Sequence, residues 1–334
     1  MQTGKPPLDV LARLLSKVSS DDPRVVLGPQ PGEDAAIIDM GDRYLVATAD
    51  PITFATDQIG WYAVQVSMND VAVTGATPTW MLATLLVPPN TSPAQIEEIF
   101  DQMGEACSAG RISLVGGHTE VTDAVSRPIL SVAMLGEASK DRIVRSRDAR
   151  VDDAIVMTES IAIEGTAILA REAGDILRDA GVPADVIAGA GQLLFSPGIG
   201  VTDAAKIANQ SVQVHAMHDP TEGGLATGLL ELASSAGVGV EVDEELVPIL
   251  PACRRFCAVL GLDPWGLLAS GSLIAAIAPD EAPRLVEVLQ DRRVAACVIG
   301  RITTRERGLK LKRGHMVVDL PTFTRDELAR FLDC

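Results

Sequence analysis

The chain has 334 residues, 47% hydrophobic and 22% charged, which predicts two globular domains with sizeable cores. Lys and Arg total 28 against 45 Asp and Glu, a net charge of −17, so the basic footprint of a nucleic-acid binder is missing, and aromatics at 3% leave no base-stacking platform. No apolar run nears the ~18 residues of a membrane span, the opening MQTGKPPLDVLARLL has no continuous apolar leader, and the five cysteines are odd in number; these predict a reduced, cytoplasmic protein that uses no membrane.

Leu8, Leu11, Leu14, Leu15 and Val18 recur at helical spacing and predict a short opening helix. GPQPGEDAA is a Pro/Gly loop that delivers acidic residues. AIID and YLVATAD read as strands joined by MGDR, the second running into Asp50. A helix is predicted over 57–74 with Gly75 as its C′ residue, and TWMLATLLVP as a buried strand. TSPAQIEEIFDQMGEACSAG is a helix with Ser92 as N-cap, Pro93 at N1 and Gln95 closing a capping box. RISLVGGHTE reads as a short strand ending in a glycine pair, and RPILSVAMLGEA as another buried strand. The charged segment 140–153 marks a crossing between domains at 1–145 and 150–334. In the second domain AIVMTES leads to the helix IEGTAILAREAG, VHAMHDPTEGG to LATGLLELASSAG, and SLIAAIA to a helix over 281–290 and the strand ACVIGRIT. The fold class is mixed α/β in two domains.

Five segments carry candidate chemistry. In VSMNDVAVTGATP, residues 66–78, Ile59, Tyr62, Val66 and Val73 form an apolar stripe, and Asn69 and Asp70 flank it. Asp70 is then either an edge carboxylate bound to backbone or a Lys, or a metal ligand, because an ionised carboxylate against the core needs a partner. In GEDAA, Asp34 stands at a strand entrance; the plainer reading is a solvated turn. In TADP, Asp50 ends a strand, a favoured place for a ligand-binding carboxylate in α/β proteins and equally a turn-initiating position before Pro. In GGHTE, Gly116 and Gly117 permit close approach of a phosphate, Thr119 adds a hydroxyl, and His118 and Glu120 offer proton transfer or ligation; a tight turn is the alternative. In DPTEGG, Asp219 reads as N-cap, Pro220 as N1 and Glu222 as N3, so a helix start with outward N–H groups follows. Good capping alone explains that pattern too.

A P-loop, a well-placed G-x-G-x-x-G, a nucleophile elbow and a protein-kinase set are all missing. Cys253 and Cys257 lie four apart on a predicted helix without zinc spacing around them, and His215 and His218 read as local strand or loop residues. Asp34, Asp50 and Asp70, with Asp219 as a further candidate, are hard oxygen ligands suited to Mg²⁺, which lets a strongly acidic chain hold a nucleotide triphosphate.

GEDAA, TAD, the stretch 66–78, GGHTE and DPTEGGL stand in the same order as motifs of one superfamily. The chain resembles the aminoimidazole ribonucleotide synthetase (PurM)-like ATP-binding proteins, which include thiamine-monophosphate kinase, selenophosphate synthetase and the hydrogenase-maturation carbamoyl dehydratase of HypE type. The resemblance implies a homodimer of two-domain subunits with ATP and Mg²⁺ in the N-terminal domain. It implies Asp34, Asp50 and Asp70 as magnesium ligands with Asn69 beside them, and Gly116, Gly117 and Thr119 along the phosphates. Asp219, Thr221, Gly223 and Gly224 would face the reacting end, and His118 or Glu120 would serve as the acid–base group. DPTEGGLATGLLELA and GLDPWGLLASG are similar to the HypE branch, which implies a hydrogenase-maturation role and a maturation-protein partner. The chain departs from that branch at Glu120, where the branch has the Lys of GDTK, and at ASGS, 269–272, where it has NEGK. TRDELARFLD precedes Cys334 in place of a Pro-Arg-Ile-Cys tail. The implied activity is ATP-dependent phosphorylation of an oxygen of a small substrate. The alternatives are the carbamoyl dehydratase itself, with Cys334 as carrier, and a non-catalytic ATP-binding sensor or assembly protein.

Overall fold

The computed structural model describes residue 6 and residues 8–18, 21–53 and 57–332. Two compact units emerge. One, the N-terminal unit, comprises Ser20–Gly28 and Asp34–Ile143; the other, the C-terminal unit, comprises Pro29–Glu33 and the chain from Val144, together with helix α1 (Leu8–Leu15).

The N-terminal unit runs β1 (Val25–Leu27), β2 (Ala36–Asp39), β3 (Tyr44–Ile52), α2 (Ile59–Val73), β4 (Thr77–Val87), α3 (Pro93–Gly110), β5 (Ser113–Val121) and β6 (Ile129–Ala138). Its six strands order as β1-β2-β3-β6-β4-β5. Only β4 and β5 pair in parallel, and α3 makes the crossover such a pair requires. The α3 start follows its sequence: Ser92 Oγ accepts from the Gln95 N–H, and Gln95 Oε1 accepts from the Ser92 N–H at 2.9 Å. Strand β6 alternates buried and half-buried residues and is not buried throughout, as expected of an antiparallel strand with one covered face.

Three local expectations change here. Helix α2 is not one-faced. Twelve of its 15 residues are buried, because the sheet covers one side and α3 packs on the other, and Val66, placed on the apolar stripe, is only half-buried. Strand β3 does not stop at Asp50. It pairs with β6 as far as Ile52, whereas β2 pairs only with Tyr44–Ala47, so Pro51 lies where β3 has a neighbour on one side alone. GGHTE is not a turn after a strand. Parallel pairing with β4 carries β5 through both glycines to Val121 after a register slip opposite Met81 and Leu82, and every residue of β5 is exposed on this sheet edge.

The C-terminal unit contains β7 (Ala154–Thr158), α4 (Ile163–Glu172), α5 (Gly174–Asp179), α6 (Ala184–Gly191), α7 (Thr202–Ser211), β8 (Val214–His218), α8 (Gly224–Ala236), β9 (Gly239–Asp243), α9 (Pro251–Leu260), β10 (Ile274–Ile277), α10 (Ala282–Asp291), β11 (Ala296–Thr303), β12 (Leu309–Arg313), β13 (Met316–Asp319) and α11 (Glu327–Leu332). Its seven strands order as β13-β12-β9-β11-β7-β10-β8, antiparallel except for β12 beside β9. Strands β7, β8 and β10 are buried along their whole length, and the core is aliphatic as the composition requires. Among the described residues no helix is long and apolar enough to cross a membrane.

Candidate functional site

The carboxylate site is built around one hydroxyl. Thr48 and Asp50 are two apart on β3, so their side chains leave the same face of the sheet, and α2 packs across β3 with Asp70 on it. Thr48 Oγ1 lies 2.8 Å from Asp70 Oδ2, 3.2 Å from Asp50 Oδ2 and 3.0 Å from the main-chain oxygen of Asp34. The structure thus brings the Asp50 and Asp70 carboxylates onto one hydroxyl, but of Asp34 it brings the main-chain oxygen there; the three side-chain carboxylates do not fall within 4.8 Å of one another. A hydroxyl has one proton to donate and can serve one of these acceptors at a time. Two ionised carboxylates sharing it repel each other unless a cation lies between them. Asp70 is 8% exposed and Asn69, next to it, is fully buried. This all-oxygen set of carboxylates, hydroxyl and carbonyl fits a hard divalent cation such as Mg²⁺. Thr48 was not singled out from the sequence, although it stands in the same TAD segment as Asp50.

The GGHTE residues lie elsewhere on the same sheet. Asp50, Val132, Ala83 and Gly117 fall in one row of the register, from β3 across β6 and β4 to β5. At the usual strand spacing that row spans about 14 Å, so within one chain Gly116, Gly117 and Thr119 do not reach the carboxylates. His118 Nε2 and Glu120 Oε2 are 3.3 Å apart on this open edge, with side chains 64% and 53% exposed. Gly117 is required where it is: its φ is +151°, and a Cβ would sit 1.9 Å from the Ala83 oxygen.

The DPTEGG segment is a loop, and α8 begins four residues later than its capping pattern predicts, with Gly223 in place of Asp219 as N-cap. Gly223 and Gly224 both adopt left-handed backbone, which breaks any helix begun at Asp219. The Thr221 carbonyl accepts from the N–H groups of Gly224 and Ala269, and Asp326 Oδ2 accepts from the Gly223 N–H at 2.6 Å. Asp219 is almost fully buried, while Thr221 and Glu222 are half-buried. His215, on β8, bonds Asp153 through Nδ1 at 2.9 Å, and His218 bonds Glu231 of α8 at 3.1 Å; both are buried.

Two acids that sequence reasoning missed stand beside this loop. Burial pushes the Glu164 carboxyl on α4 up to about 7, against a smaller opposing effect of the nearby Ser270, with Asp326 and Glu222 adding repulsion. Burial likewise pushes Asp326 up to about 7, although the N–H groups of Gly223 and Leu328 pull the other way. Glu164 is detectable in sequence as an acid inside the apolar run IAIEGTAILA, by the same logic that marked Asp70. Because the folded chain keeps a proton on Glu164 that the unfolded chain releases above its ordinary value of 4.5, this group lowers stability progressively as pH rises from 4.5 to about 7. Glu164→Gln is therefore expected to gain on the wild type across that window, by roughly 3 kcal/mol at its upper end, and to gain nothing further above it. Urea denaturation at a series of pH values measures this, and parallel stability curves for the two proteins would contradict it.

Fold and site together define a two-unit PurM-like α/β protein with two carboxylates gathered on one hydroxyl of its N-terminal sheet. The AIR synthase related protein models match this chain over 32–138 for the N-terminal domain and over 150–311 for the C-terminal domain, and the chain belongs to that family. It is 30% identical over 305 residues, 88% of its length and 87% of the other's, to a protein of Methanocaldococcus jannaschii provisionally named for hydrogenase expression and formation. It is 29% identical over 274 residues, 77% of its length and 73% of the other's, to carbamoyl dehydratase HypE of Rhizobium leguminosarum bv. viciae. A crystal structure of hydrogenase maturation protein HypE in complex with ATP superposes with a TM-score of 0.69 over 98% of both chains at 24% identity, a likeness of fold.

Proposed function

We propose that the protein is an ATP- and Mg²⁺-dependent cytoplasmic enzyme that phosphorylates an oxygen of a small substrate, activating it for dehydration or transferring the phosphate outright. The observation that carries this reading is the convergence of Asp50, Asp70 and the Asp34 carbonyl on Thr48 Oγ1. Asp34, Asp50 and Asp70 would hold Mg²⁺, which when bound supplies charge neutralisation at the phosphates. Asn69 is the neighbouring polar group on α2. The protein's own work is positioning: the DPTEGG loop, through Asp219, Thr221, Gly223 and Gly224, orients the acceptor oxygen.

The exposed strand β5 carries Leu114, Val115 and Val121 into solvent, which supports a homodimer formed through this edge. Dimerisation would deliver Gly116, Gly117 and Thr119, with the His118–Glu120 acid–base pair, to the phosphates of the neighbouring subunit. Membership of the HypE branch supports a maturation-protein partner.

The test uses γ-labelled ATP, Mg²⁺ and the small-molecule fraction of a cell extract. Label appearing in an acceptor of that fraction is expected. Nucleotide binding with neither transfer nor extract-dependent phosphate release would replace the enzyme with a non-catalytic ATP sensor or assembly protein. Similarity to carbamoyl dehydratases favours one narrower reading, the carbamoyl-carrying dehydratase with Cys334 as carrier. Cys334 lies outside the described residues, two positions beyond α11. Mass spectrometry of the C-terminal peptide after incubation with a carbamoyl donor system should then show a modified Cys334, and an unmodified peptide ends that reading.

A further inference from the structure

A cavity of about 330 Å³ opens between α4, α5 and α6, within the C-terminal unit and inside the size range of small-molecule pockets. The joints between these helices create it. Ala173 is both the C-cap of α4 and the N-cap of α5, with φ −110° and ψ 15°, so the chain turns there without a loop. Gly174, the first residue of α5, brings no side chain into the gap. A Cβ at Gly174 would reach only Ile187 Cγ2 of α6, at an ordinary 3.7 Å.

The lining is graded from apolar to charged. Ala170 of α4 is buried and Ile187 of α6 half-buried, and these two form the floor. Arg171 is half-buried, while Glu172, Asp175 and Arg178 are exposed and form the rim. Two guanidinium groups thus face two carboxyl groups. Arg178 donates to Asp175, three residues before it on α5, with side chains 55% and 93% exposed. An exposed pair of this kind contributes little and yields to a better-placed partner. Arg171 is held more firmly, because its Nη1 donates to the Gly191 oxygen at the end of α6 at 3.3 Å. A simple anion would meet the two carboxyl groups as well as the guanidinium groups, and a simple cation the reverse. Among the described residues no three metal-ligating side chains gather here. A small molecule carrying both signs meets both. Its carboxylate matches the planar guanidinium fork, its ammonium group is favoured by Glu172 and by the carbonyl end of α4, and an aliphatic side chain covers Ala170 and Ile187.

We propose that this cavity binds a free aliphatic α-amino acid, with Arg171 and Arg178 on its carboxylate and Glu172 on its ammonium group. The site is separate from the DPTEGG loop. Glu164, whose carboxyl stands beside that loop, lies in the first turn of α4, and Arg171 lies in its last, about 10 Å further along the helix. Binding here therefore stands or falls independently of phosphoryl transfer.

Saturation-transfer-difference NMR on the full chain tests this with L-leucine, N-acetyl-L-leucine and L-leucinamide, titrated separately. Saturable transfer to L-leucine is expected. The other two each lack one of the charges and should bind more weakly by roughly ten-fold or more, the worth of one hydrogen bond to a charged group. Ala188 is an exposed residue of the lining, so Ala188→Phe fills the cavity without touching the core and should abolish the L-leucine response at an unchanged melting temperature. Arg178→Gln should weaken L-leucine by roughly ten-fold or more and leave L-leucinamide, which has no carboxylate, as it was. That pattern separates a binding group from a structural one, and it carries the test alone should the Phe variant fail to fold. No saturable transfer to L-leucine, equal binding of the three probes, or an undiminished L-leucine response in either folded variant overturns the proposal.

Discussion

Asp70→Asn is expected to weaken Mg²⁺–ATP binding by roughly 100-fold or more, since losing even an indirect support of a metal site costs ten- to a hundred-fold, while the ligand-free protein keeps or raises its melting temperature. The two effects separate because the substitution is nearly isosteric. The amide oxygen it introduces can still accept from Thr48 Oγ1, which now stands 2.8 Å from Asp70 Oδ2, so the packing between α2 and β3 survives. What disappears is a negative charge that is 8% exposed and faces Asp50 across a shared hydroxyl. Removing it relieves repulsion in the empty site and deprives a hard cation of a ligand in the filled one. Stabilisation by ligand follows its ratio to the dissociation constant, so the rise in melting temperature on adding Mg²⁺ and ATP reads the loss directly. An unchanged rise would show that Asp70 is an edge carboxylate with no part in the site.

Gly224→Ala is expected to cost roughly 2–5 kcal/mol of stability, the sum of a left-handed backbone penalty and an overpacked contact. The residue sits at φ +67°, and a Cβ there would approach the Trp265 oxygen to 2.4 Å and the Leu267 oxygen to 2.9 Å. Both obstacles are main-chain atoms, which cannot swing aside as a flexible side chain does. The Gly223 N–H bond to Asp326, one residue away, would be strained with them. A fall in the urea midpoint at constant m-value measures the effect, and a change below about 0.5 kcal/mol, the range of an ordinary surface substitution, would contradict it.

The sequence made local structure legible wherever periodicity and capping act within a few residues. The capping box at Ser92 and Gln95, the strand at 296–303 and the β7–α4, β8–α8 and β10–α10 steps all follow from neighbouring residues. The three acids proposed to hold the cation were legible as types out of place: an Asp in an apolar helix, an Asp on a strand and an Asp in a Gly/Pro loop. Their meeting point, Thr48, was not, because a Thr in a strand is unremarkable until α2 is laid against it. The α8 start was misread because Asp219, Pro220 and Glu222 satisfy a capping pattern that Gly223 and Gly224 override through their backbone angles. GGHTE was misread because a glycine pair signals a turn, whereas pairing with β4 continues through it and the close approach to Ala83 needs a glycine. Glu164, Ser270 and Asp326 come from segments more than fifty residues apart, and no pattern along the chain links them.

A cation held by acidic residues is the proposed means by which a chain of net charge −17 takes up a nucleotide. Isothermal titration of ATP into the protein, once with excess Mg²⁺ and once with a chelator, tests this most directly. The predicted result is saturable binding with the metal and a loss of roughly 100-fold or more without it. Equal affinity in the two titrations, or none in either, would contradict it.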